Sequence, residues 1–262
     1  MKQSLAGNVS REGRQTVGLS VLYALIVVNL LFYLLWLSAK MNGNEGEFVS
    51  NFSLSSEALT ANRHFGTLFS YMFVQTDIFH LIFNLLLLNW FGRIVVCTFG
   101  WFKLILTYII GGLSGALLFL LCSVLFPSID GDLIGASASV IALMTMAAVA
   151  MPKRLCRLPL LKEVRLGRIV VAWLLIVLAA GFFLGNAGGQ IAHLGGAFAG
   201  IALGLSVCRA KKEQPITAKT EVEESSKDIS ELLEKVKRSG YSSLTSDERN
   251  LLNNIKPGLA NR

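Results

Sequence analysis

Charged residues are scarce in this sequence. Asp, Glu, Lys and Arg make up 16% of its 262 residues, where a soluble domain carries about 25%. With 53% hydrophobic residues and a mean hydropathy of +0.57, much of the surface must face lipid. Cysteine is also sparse. Cys97, Cys122, Cys156 and Cys208 show no paired spacing, which argues against a disulfide framework or a zinc site. No Asp or Glu interrupts any apolar stretch, so a two-aspartate mechanism and a Ser-His-Asp triad within the membrane are both excluded. No His-Glu-x-x-His run exists, which removes zinc-protease chemistry. No cleavable signal is expected either, because the first apolar stretch is long enough to span and lacks a small-residue cleavage site. Neither metal nor cofactor is expected.

What is present is a series of apolar segments. A hydrocarbon core of ~30 Å needs about 20 residues at a helical rise of ~1.5 Å. Six segments meet or approach that length: 19–39, 78–96, 102–126, 133–151, 169–184 and 190–208. The net charge of +7 could suggest nucleic acid, but the basic residues cluster beside the apolar segments instead. Arg11 and Arg14 precede the first, Arg93 and Lys103 flank the second turn, and Lys153, Arg154, Arg157, Lys162, Arg165 and Arg168 join the fourth to the fifth. Arg209, Lys211 and Lys212 follow the sixth. Every strongly cationic loop falls on one side only if there are six spans with both termini in the cytoplasm. The expected fold is therefore an all-α polytopic membrane protein. Residues 1–18 form a cytoplasmic N-terminal segment, 19–209 a six-helix membrane domain, and 210–262 a cytoplasmic tail.

In loop 1, the run 65–73 is too short to span and too apolar to float free, so it is expected to be interfacial or re-entrant. In the tail, Asp228 to Arg238 predicts a short helix ended by Gly240. Thr245 and Glu248 have the spacing of a capping box that starts another.

Ionisable residues inside spans are costly and tend to be functional. Of three histidines, His80 and His193 lie in spans, and His64 in loop 1 is expected to be ordinary. Spans two, four and six enter from the same side, so His80, Ser137 and His193 arrive at one level near their starts. Helical rise from Asp132 puts Ser137 ~8 Å below the outer boundary. Gly196, Gly200 and Gly204 form a small-residue stripe on span six, and span four opens with Gly135-Ala136-Ser137-Ala138-Ser139. Two such helices can bring a serine and a histidine to hydrogen-bond distance, the condition for base-activated attack. His80 and Asn84, one turn apart, are either interhelical glue or donors to a developing oxyanion. Backbone N–H groups at the start of span four could add donors. Asn89 is read as structural.

Three motifs on three spans, His80-x-x-x-Asn84, Gly135-x-Ser137 and Ala192-His193-x-Gly195-Gly196-x-x-x-Gly200, resemble those of the rhomboid intramembrane serine proteases. The resemblance covers residues 19 to 209. It implies Ser137 as nucleophile, His193 as base, and an oxyanion site that includes His80 and Asn84. It also implies a water-filled cavity open outwards and gated access for a substrate transmembrane helix. The partners so implied are transmembrane protein substrates and the lipid bilayer, with no nucleic acid and an undefined oligomeric state. The tail is similar to those of some bacterial members, which implies the bacterial cytoplasmic membrane. The sequence departs from the family pattern at Ala138, where glycine is usual, at Ile141, where many members carry an aromatic residue, and at Val96, where many carry Glu. A catalytically inactive rhomboid-like protein that binds membrane clients is the alternative. A small transporter is disfavoured by the lack of an internal repeat.

Overall fold

The structure is a computed structural model. It describes residues 2–55, 65–126, 129, 131–158, 161–184, 186–240, 244, 245 and 248. In chain order the helices are α1 (Lys2–Met41), α2 (Glu45–Phe52), α3 (Thr67–Ser70), α4 (Ile78–Phe99), α5 (Trp101–Leu125), α6 (Ser137–Ala150), α7 (Leu166–Leu184) and α8 (Ala187–Ser239). The chain divides into two compact units, 12–207 and a second made of 1–11 with 208–262.

The larger unit is an all-α polytopic bundle. Gln15–Met41, Ile78–Phe99, Trp101–Leu125 and Ala187–Ala210 are long and apolar enough to cross a membrane. Ser137–Ala150 and Leu166–Gly181 are shorter apolar helices. The brevity of α6 follows from its place. Every residue from Ala138 to Ala147 is buried, so the helix is enclosed by protein along most of its length and need not match the thickness of a bilayer. The outer helices instead expose large apolar side chains, among them Leu34 and Leu35 of α1, Leu86 of α4, Leu117 and Leu121 of α5, and Leu175 of α7. Such a rim suits lipid. Glycine sets the spacing on the inner faces. A Cβ at Gly92 of α4 would sit 2.5 Å from Leu22 of α1, and one at Gly18 would sit 2.5 Å from Val96. Val96 is thus a packing residue against α1, at the end of the bundle away from the candidate site.

Two expectations, the depth of Ser137 and the short helix of the tail, need correction, and two connections show more structure than the sequence announced. Residues 133–136 are not helical, so the ~8 Å depth inferred for Ser137 from helical rise does not apply. Leu133 instead exchanges backbone hydrogen bonds with Leu54 (3.0 and 2.8 Å), and Ser53 Oγ donates to Asp132 at 2.7 Å. The run 65–73, expected to be interfacial or re-entrant, has both exposed and buried residues. Phe65 and Phe69 are exposed, but Tyr71 and Met72 are buried in the bundle, where the Tyr71 hydroxyl donates to Gly112 O at 2.6 Å. The basic connection holds an antiparallel hairpin, β1 (Leu155–Leu158) with β2 (Leu161–Arg165), pairing Leu155 with Arg165 and Cys156 with Val164. Its exposure alternates as a half-buried strand's should: Glu163 and Arg165 point out while Val164 is partly buried. Finally, the helix expected at 228–238 is the last part of the continuous α8, which Gly240 ends at φ 77°.

The capping box is present: Thr245 N donates to Glu248 (2.8 Å) and Glu248 N to Thr245 Oγ1 (3.3 Å). The rest of the helix it was expected to start, and His64, lie outside the described residues.

Candidate active site

Asp77 fixes the start of α4. Its carboxylate accepts from His80 N at 2.7 Å, an N-cap bond that satisfies one of the orphan amides of the first turn. His80 is thereby held in the first turn, with Asn84 one turn further on the same face. Both line a cavity of 460 Å³, together with Ser137, Ile141, Trp173, Gln190 and His193.

Ser137 is the first residue of α6, and two features bring it there. Gly135 has φ 116° and donates its N–H to Tyr71 O at 2.9 Å, so the chain turns sharply before the helix begins. A Cβ at Gly135 would lie 3.1 Å from His80 Cε1 and 3.8 Å from Ser137 Oγ. Glycine here leaves open the space between the imidazole and the hydroxyl. The N-cap of α6 is Ala136, which makes no side-chain cap bond. No side chain from the cap position therefore bonds to the first-turn amides.

His193 reaches Ser137 because α8 and α6 pack almost backbone to backbone. A Cβ at Gly196 would strike the carbonyl of Ala138, and one at Gly200 the carbonyl of Ala142. One at Gly204 would come 3.0 Å from the Met146 carbonyl. Each step of four on α8 matches a step of four on α6, so the glycine stripe seats the two helices in register. Gly195 faces α5 instead, where a Cβ would lie 2.5 Å from Ser114 O. The result is a separation of 2.8 Å between His193 Nε2 and Ser137 Oγ. For Nε2 to accept the serine proton, Nδ1 must carry the ring proton. Nδ1 is buried and has no hydrogen-bond partner among the described residues. No carboxylate among the described residues hydrogen-bonds the imidazole.

The four candidate residues thus share one cavity, but Asn84 is more constrained than its sequence position suggests. Its Nδ2 donates to Gln75 Oε1 at 2.9 Å, Gln75 Nε2 donates to Asn29 Oδ1 at 3.3 Å, and Asn29 meets the Tyr108 hydroxyl at 3.3 Å. Tyr108 completes the chain by donating to Met72 O at 3.1 Å. Gln75, Asn29 and Tyr108 escaped the sequence reading. Asn29 carried a signal, a carboxamide amid the apolar residues of the first span, whereas Gln75 looked like the end of a loop.

The departures from the family pattern sit differently from one another. Ala138 is buried, and its methyl faces Gly115 of α5, where a Cβ would come within 2.8 Å of it. Gly196 of α8 meets the carbonyl of Ala138, not the methyl. Ile141 lines the cavity one turn below Ser137. On the lipid side the cavity is flanked by Phe83 of α4 and Trp173 of α7, whose rings stack with centroids 5.1 Å apart and planes at 11°.

These features define a polytopic membrane protein with a serine and a histidine hydrogen-bonded inside the bundle. A family model for the rhomboid domain matches residues 62–210, more than half of the chain and all four candidate residues, and the chain belongs to the rhomboid family. No curated protein matches it.

Proposed function

We propose that the chain is an intramembrane serine endopeptidase that cuts membrane proteins in or near their transmembrane segments. The observation that carries this reading is the 2.8 Å separation of His193 Nε2 and Ser137 Oγ within a cavity between apolar helices. In this reading Ser137 Oγ attacks the scissile carbonyl while its proton passes to His193 Nε2. The oxyanion is stabilised by the free amides at the start of α6, by the second N–H of Asn84 and by His80. His193 then returns the proton to the leaving amine, and the acyl-enzyme is hydrolysed by a water that His193 deprotonates. The reaction so written uses no metal or cofactor.

The partners are transmembrane protein substrates and the bilayer. The charge pattern favours both termini inside and a site that opens outwards, and the similarity of the tail to those of some bacterial family members favours the bacterial cytoplasmic membrane. The test is fluorophosphonate labelling of the protein in liposomes, with cleavage of a transmembrane substrate assayed alongside. Labelling lost in Ser137→Ala, together with cleavage by the natural protein, is the expected result. Absence of both in the natural protein would turn the reading to a client-binding relative without activity.

A further inference from the structure

A second cavity, of 360 Å³, lies between α4 and α7 on the side of Trp173 towards the basic end of the bundle. Its walls are apolar: Leu87 and Trp90 of α4, Met144 of α6, Ala172 and Ile176 of α7, with Val164 of β2 also lining it. Arg168 is the single charged residue among those that line it. It stands exposed in the first turn of α7, with no ion pair among the described residues. Lys153 and Arg165 are exposed at the same end, and Glu163 is the one acid between residues 152 and 168.

The occupant follows from this chemistry. From Arg168 to Ile176 the groove runs ~12 Å along the helix axis, close to half of a ~30 Å hydrocarbon core. It is therefore about as deep as one leaflet. Its apolar wall suits a hydrocarbon chain and would strand a water-soluble ligand. At its mouth a guanidinium offers paired donors in the geometry that fits a phosphate. The surrounding excess of positive charge favours a headgroup with net negative charge over a zwitterionic one. We propose that this groove is a binding site for an anionic phospholipid, with an acyl chain between α4 and α7 and the phosphate on Arg168. The site is separate from the Ser137 chemistry and stands whether or not the protein cleaves substrates.

The experiment uses the full chain in nanodiscs of phosphatidylcholine and phosphatidylglycerol with identical acyl chains, followed by native mass spectrometry of the retained lipid. The natural protein should retain phosphatidylglycerol in preference. Arg168→Gln should lower that preference about fivefold, the loss expected for one cation at a lipid surface. Arg165→Gln removes the same charge from a residue that does not line the groove, and should leave the preference near that of the natural protein. Ala172→Phe, which fills the groove, should reduce retention of both lipids, and Ala172→Leu should do so less. Equal losses in Arg165→Gln and Arg168→Gln would mean a diffuse basic surface and overturn the site. So would full retention in folded Ala172→Phe, or no preference in the natural protein.

Discussion

Asn84 donates its side-chain amide to Gln75 across 2.9 Å, and Gln75 in turn donates to Asn29 on a different helix. All three are buried. An amide has two N–H donors, so the bond to Gln75 uses one and fixes the plane of an amide that lines the cavity. This makes Gln75 a positioning residue for the proposed oxyanion site. Gln75→Ala should lower kcat by about tenfold, somewhat less than outright loss of a donor costs elsewhere, with KM little changed. It should also destabilise the protein by about 1–3 kcal/mol, because two buried amides lose a partner. Gln75→Glu keeps the acceptor for Asn84, so it should recover turnover relative to Gln75→Ala. A purely structural role would show as loss of stability with normal kcat in the folded fraction.

Removing Asn84 itself should cost more. Asn84→Ala is expected to slow turnover by roughly 10- to 1000-fold with folding and substrate binding near normal. If Asn84→Ala instead unfolds in detergent while its residual folded fraction turns over normally, Asn84 is interhelical glue.

The dyad should behave as a unit. Ser137→Ala and His193→Ala should each abolish cleavage, and the double variant should be no worse than either. The imidazole has no orienting carboxylate among the described residues, so its geometry depends on the Gly196 and Gly200 contacts that seat α8 against α6. Clearly additive losses, measured with one transmembrane substrate, would separate the two residues and remove the assignment.

The legible and the hidden parts of this protein divide along a physical line. Apolar length and the sidedness of Lys and Arg announce helices that face lipid, because the bilayer imposes those features on each helix separately. His193 and the Gly196–Gly200–Gly204 stripe were legible for a similar reason: a histidine or a backbone approach inside a membrane needs a cause within the local sequence. The extended lead-in to Ser137 was not legible, since its bond to Leu54 joins segments far apart in the chain. Gln75 was hidden likewise, because its meaning lies in Asn29, 46 positions away. The partner of the Ala138 methyl required knowing that α5, not α8, offers a glycine at that height.

Access to the cavity should depend on the Phe83–Trp173 stack, since these rings join α4 to α7 at its margin. A stacked pair is worth about 0.5–1.5 kcal/mol beyond its buried area, so Trp173→Ala should raise turnover of a transmembrane substrate by about two- to tenfold. Labelling of Ser137 by a small fluorophosphonate should change little, because a small probe does not need the helices to part. An equal rise in both would mean that Trp173 acts on the chemistry and not on entry.

Ala138 is the departure closest to the proposed nucleophile, and its neighbours decide its effect. The methyl has a place opposite Gly115, so the natural protein is packed around it and not strained by it. Ala138→Gly should remove a buried methyl and a better helix former, and lower stability by about 1–2 kcal/mol. The Ser137 and His193 backbones are held by other contacts, so the catalytic rate should change by less than about tenfold. The reverse change is more damaging. A Cβ at Gly115 would lie 2.8 Å from the Ala138 methyl and 2.9 Å from the Ala192 carbonyl, so Gly115→Ala should destabilise by about 1–3 kcal/mol. Combining it with Ala138→Gly removes the first clash but not the second, so the double variant should recover part of that loss. Thermal unfolding and turnover of all four proteins in one detergent give the coupling. Strict additivity would show that the methyl and the glycine are not partners. Fluorophosphonate labelling seen only after Ala138→Gly would show that the methyl disables Ser137.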